Sequence, residues 1–127
     1  MANRSANEVR SIQTEMWPIA GTITIDGASA VSAQNPTSTS VLTVTKPAGT
    51  GIYRVTLADA YPDILYADAS FLVAAGTIDR DVLPVAVSAS TGVVDFQVKK
   101  TSDGSAVDPV SCTIMFLIVC KNSSVTP

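Results

Sequence analysis

The side chains that could do chemistry in this sequence are few, and their spacing argues against most of the chemistry they could do. Asp79 and Asp81 flank Arg80 and offer two carboxylates to a hard cation. Calcium takes about six to eight oxygens, however, and no glycine-bearing ligand loop surrounds the pair, so a solvated charged turn is expected. Gly49-Thr50-Gly51 has the look of a phosphate cradle but lacks the Lys-Ser/Thr that would follow it, and it runs into a strand pattern rather than a helix. Asp103 precedes Gly104 in a Ser/Gly stretch, which is turn chemistry, and Asp108 lies just beyond. Lys99 and Lys100 close a strand pattern and read as an edge or solubility feature. The chain has no histidine, which removes the commonest general base and the commonest metal ligand together. No catalytic constellation, no metal site and no cofactor are expected.

Cys112 and Cys120 are the two cysteines. Eight residues apart on one strand, they would be separated by about 26 Å at roughly 3.3 Å per residue. A disulfide needs Cα atoms about 4.4 to 6.8 Å apart. Buried thiols are therefore expected, as in a reducing compartment.

The elements that would hold these groups are strands. The 127 residues include 16 valines, 9 isoleucines and 14 threonines against 6 leucines and 3 methionines. β-Branched side chains fit a pleated surface better than a helix. Period-two patterns are expected at Thr22 to Ile25, at Leu42 to Thr45, and at Ile52 to Leu57, where Tyr53, Val55 and Leu57 share one face. They recur at Ala67, Ala69, Phe71 and Val73, at Leu83, Val85 and Val87, and at Val94, Phe96 and Val98. The run Val110 to Lys121 is apolar at both parities, so it should lie inside a sheet or at a subunit contact. Tyr61 to Tyr66 reads as a single helical turn opened by Pro62, and Gln34 to Ser40 as a surface loop. The whole predicts an all-β antiparallel sandwich, jelly-roll-like, over residues 19–127.

Residues 1–18 fit that sandwich poorly. Val9, Ile12 and Met16 stand at helical spacing and Trp17 adds an aromatic before Pro18. An extended or partly helical arm is expected, with Val9, Ile12, Met16 and Trp17 as its partner-binding anchors. Net charge is −3, which gives no footprint for nucleic acid or an anionic membrane. The longest apolar run, Ile114 to Cys120, is far shorter than the roughly 18 to 20 residues that span a bilayer. No apolar leader is evident in the first residues, so the chain is expected to stay where it is translated. Charged residues make up only 15% and mean hydropathy is +0.33, so some apolar surface should meet another chain.

The segment Gly49-Thr50-Gly51-Ile52-Tyr53-Arg54-Val55-Thr56-Leu57, followed by Ala60-Tyr61-Pro62-Asp63-Ile64-Leu65, resembles small structural proteins of tailed bacteriophages. The likeness continues through Asp95 to Lys99, Asp108-Pro109 and Ile114 to Val125, so it covers roughly residues 49–125. Lys121 stands where many such proteins would carry arginine. The resemblance implies a virion component, a capsid decoration or cement subunit of β-sandwich fold. It would form a homotrimer, assemble in the host bacterial cytoplasm and contact the major capsid protein. The alternative is a trimeric tail-fibre or adhesin tip that touches a host receptor through Gln34 to Ser40 and Thr101 to Ala106. Those loops lack aromatic residues, which a carbohydrate platform usually needs.

Overall fold

A computed structural model describes residues 16–73 and 80–121. Eight strands form two four-stranded antiparallel sheets. In chain order they are β1 (Met16–Ile25), β2 (Val31–Asn35), β3 (Leu42–Thr45), β4 (Ile52–Leu57), β5 (Asp63–Val73), β6 (Arg80–Ser88), β7 (Val93–Lys100) and β8 (Cys112–Lys121). The first sheet runs β2-β1-β8-β5 and the second β3-β4-β7-β6. This is the expected all-β sandwich. In a jelly roll successive strands alternate between sheets. Here β1-β2, β3-β4 and β6-β7 each stay within one sheet, so the strand order is a different one.

Alternation does the work of building the core. Tyr53, Val55 and Leu57 of β4 point inward with Val94, Phe96 and Val98 of β7, while Ile23, Ile25, Ile114, Phe116 and Ile118 face them from the first sheet. The rings of Phe96 and Phe116 meet across the layer with centroids 6.1 Å apart and planes 31° apart, a tilted contact that aromatic pairs favour. Tyr53 is fully buried and its hydroxyl donates to the Ser29 carbonyl at 2.8 Å, tying the second sheet to the β1-β2 turn. Gln34 performs a similar task along one side of the sandwich. Its Nε2 donates to the carbonyls of Pro36 and Leu42, and its Oε1 accepts from the Val44 amide at 2.9 Å.

Four expectations are corrected. Met16, Trp17 and Pro18 are not part of an arm; they open β1 and pair with Lys121, Cys120 and Val119 of β8. Proline is tolerated there because β2 pairs with β1 only from Thr22 onward, so at Pro18 the strand has one neighbour. Val9 and Ile12 lie outside the described residues. Second, the predicted helical turn is absent, and Asp63 to Tyr66 begin β5. Third, Gln34 and Asn35 belong to β2, so the loop starts after them. Fourth, β6 starts in the phase opposite to that expected: Val82 is buried, Leu83 stands beside outward Gln97, and only past a bulge does Val87, half exposed, return to the side of buried Val94. A bulge between Pro84 and Ala86 breaks the period at Val85.

Candidate functional site

Several of the groups singled out for possible chemistry are engaged in holding loops. Gly51 has a positive φ of 70°, and a Cβ there would meet the Val107 carbonyl at 2.5 Å and the Val98 carbonyl at 2.8 Å. Its amide donates to Asp108 Oδ1 at 2.6 Å. Lys46 reaches the same carboxylate at 3.1 Å, donates to the Gly49 carbonyl and sits 5.2 Å from the centre of the Tyr53 ring. The glycine segment is thus not a cradle for phosphate, since an internal carboxylate already occupies the position an anion would take. The amide of Gly51 and the Lys46 ammonium hold the Asp108 carboxyl below its ordinary pKa.

A depressed carboxyl pKa stabilises the fold above the ordinary value near 3.8 and loses that contribution as pH falls through the folded-state value. Asp108→Asn is accordingly expected to lower stability at pH 6 by about 1 kcal/mol, since the group is partly exposed and its charge is screened. It should also narrow the gap between stability at pH 6 and at pH 3. Urea midpoints for both proteins at the two pH values measure this; an unchanged gap would show that another carboxylate carries the acid sensitivity.

Other candidates resolve in the same way. Asp103 accepts from the Ser105 amide and hydroxyl, and Gly104 has a φ of +72°, which is the expected turn. Arg54 and Asp95 form a two-point ion pair at 2.8 and 3.1 Å on the outer side of the second sheet. Cys112 and Cys120 are buried free thiols, pushed up in pKa by burial. Asp81 is exposed and its carboxylate accepts from the Val82 amide, while Asp79 lies outside the described residues. Among the described residues no group of three or more histidine, cysteine, aspartate or glutamate side chains could hold a metal, and no helix is long and apolar enough to cross a membrane.

What remains is a surface. β8 is a central strand of the first sheet, yet the described residues cover only one of its faces. Its inward residues are buried, whereas Met115 is 44% and Leu117 38% exposed on the outer side. The pairing register places Thr22, Ala20 and Pro18 of β1 beside Met115, Leu117 and Val119. On the other side stand Ser70, Asp68 and Tyr66 of β5. Met16 extends the same row at the end next to Lys121. A shallow hollow of about 130 Å³ lies among Tyr66, Asp68, Ser70, Met115 and Leu117. The Tyr66 hydroxyl donates to Asp68 at 3.2 Å, which raises the phenol pKa and fixes the rim.

Of the expected anchors, Met16 therefore joins this face. Trp17, half exposed, has the opposite parity and stands at the open end of the sandwich near buried Cys120. The sequence signal for the face is the double parity of Ile114 to Val119, which points to cover on both sides. No protein-family model matches the chain, and neither a curated protein nor a solved structure matches it.

Proposed function

We propose that this chain is a non-enzymatic structural subunit of a tailed-bacteriophage virion. It is a capsid cement or decoration protein that forms a homotrimer in the host cytoplasm and holds the major capsid protein. The observation that carries the reading is the apolar outer face around Met115 and Leu117, on a domain in which Lys46, Arg54, Asp95 and Asp108 are engaged in loop contacts and ion pairs. A scaffold of that kind is suited to binding other protein surfaces. The resemblance over residues 49–125 supplies the setting, and its segments fall on β4, the start of β5, β7 and β8. A modest contact repeated over a shell gains by avidity what each copy lacks alone.

The direct test is sedimentation of the purified protein with shells assembled from the major capsid protein of the same virus. Stoichiometric recovery with the shells is the expected result. Protein left in the supernatant, together with binding to whole host cells, would replace this reading by the tail-fibre one.

The arm is tested by deleting residues 2–15. The deletion stops there because Met16 to Pro18 are paired in β1. Stability is expected to stay within about 0.5 kcal/mol of the parent, while shell binding falls by about tenfold or more through loss of one linked contact. Emission from Trp17, the one tryptophan, reports both folding and docking. Undiminished shell binding would remove the arm from the mechanism.

A further inference from the structure

We propose that the outer face of the β2-β1-β8-β5 sheet is the surface through which one copy of this chain binds another, with Met115 and Leu117 at its centre. The inference deepens the self-assembly part of the functional reading above and rests on it for its biological setting.

The two outer faces of the sandwich differ in kind. On the second sheet the outward positions include Arg54, Asp81, Asp95 and Lys99, with Thr43, Thr45, Thr56 and Gln97 among the apolar side chains. Charged and polar side chains are interleaved there with Ile52, Leu83 and Val93, so no apolar run forms along a strand. On the first sheet the outward residues of β8 run Thr113, Met115, Leu117, Val119, Lys121. A sheet with one face on the core and one in water normally alternates apolar and polar residues, and β8 breaks that rule through three successive outward positions.

Its relief is suited to a copy of itself. Met115 and Leu117 are long side chains on the central strand, and their neighbours Ala20, Thr22 and Ser70 are short. The result is a ridge with low ground beside it. The hollow against Tyr66, about 130 Å³, has room for one aliphatic side chain. A contact between like copies needs a protrusion on one and a recess on the other, and each copy carries both.

Charge narrows the occupant further. Asp63 stands opposite Lys121 at one end, and Asp68, beside Leu117 on the edge strand β5, is engaged by Tyr66, so along β8 itself the row Met115, Leu117, Val119 is uncharged. Neither a polyanion nor an anionic lipid surface would gain from it. A partner must bring an uncharged apolar patch of matching size, and the chain itself supplies one. Ten residues of β8 at about 3.3 Å and four strands at about 4.8 Å, with β2 short, give roughly 500 to 600 Å² per copy. A pair then buries roughly 1,100 Å², just above the threshold of about 1,000 Å² for a specific contact. The hydrophobic middle and polar rim follow the usual anatomy of such contacts.

The test is the solution mass of the full chain by sedimentation equilibrium over a range of concentrations, for the parent and for the double variant Met115→Lys, Leu117→Lys. The parent is expected to run at a multiple of 13.1 kDa. The double variant should fall to 13.1 kDa with its self-dissociation constant raised about 100-fold or more. Both positions are exposed, so the far-ultraviolet spectrum should be unchanged. Should the double variant misfold, Ala20→Lys on the neighbouring strand repeats the experiment without touching β8. Val87→Lys, on the other sheet and 50% exposed, should keep the parent's mass.

A monomeric parent overturns the inference, as does a folded double or Ala20→Lys variant that keeps the parent's mass, or a Val87→Lys variant that dissociates equally. Shell sedimentation separates this from the wider reading. A monomer that still sediments with shells defeats the self-contact alone, and an oligomer that ignores shells defeats the cement function alone.

Discussion

Phe116→Asp is expected to leave the chain unfolded at room temperature. Phe116 is 2% exposed, packs on Phe96 across the two sheets and sits opposite Gly21 on the neighbouring strand. Removing the ring alone forfeits about 3 to 5 kcal/mol of packing and leaves a cavity. An aspartate must in addition stay ionised in a dry layer or be protonated there, and either course costs several kcal/mol. The sum reaches or exceeds the roughly 5 to 15 kcal/mol that holds a typical domain together. Circular dichroism and a urea titration measure it. A cooperatively folded variant would mean that the sandwich interior admits water at its centre.

The second large effect is expected at Gly21, whose parity points it into the core. A Cβ at this position would run into the backbone carbonyl of Asn35 on β2 and come within 2.6 Å of Phe116 Cζ. Alanine usually stabilises a strand relative to glycine by limiting the unfolded chain, by about 0.4 to 1 kcal/mol. Here steric overlap outweighs that gain, because one of the obstructing groups is backbone and cannot rotate away. Gly21→Ala is expected to lower unfolding free energy by about 2 to 3 kcal/mol.

The diagnostic is coupling. Phe116→Leu deletes the ring atom that would clash, so in the Gly21→Ala background it should cost less than in the parent. Additive losses would show that the Asn35 carbonyl is the whole obstacle. Gly104 provides the contrast: its φ is +72° but nothing lies within 4 Å of where a Cβ would stand, so alanine there meets backbone strain and no clash.

The sequence made the interior strands legible and the margins less so. β3 and β4 occupy the expected positions because Leu42 to Thr45 and Ile52 to Leu57 alternate without interruption between turn residues. β6 misleads because period two assumes one residue per rung, and the bulge at Val85 inserts an extra one. β2 escapes notice because Ser32, Ala33 and Gln34 carry little apolar pattern; the strand is held by pairing with β1 and by the Gln34 side chain. Pro18 conceals the start of β1, since a single sequence does not say where a neighbouring strand stops. The surface around Met115 is half legible: the pattern of β8 is apolar on both faces, but which face stays open depends on strands more than forty residues away in the chain.

The pairing of β1 with β8 has a consequence for how the protein is made. The first sheet is centred on a strand that leaves the ribosome last among those described, and both β1 and β5 depend on it for their ladders. At about 5 to 20 residues per second, the interval between β1 and β8 lasts several seconds. During it the second sheet can already assemble from β3, β4, β6 and β7, while β1 has only β2 beside it and Ile19, which β2 does not reach, waits for β8. The β1-β8 ladder therefore closes only once β8 has emerged, and until then the nascent chain is a client for whatever binds exposed isoleucine.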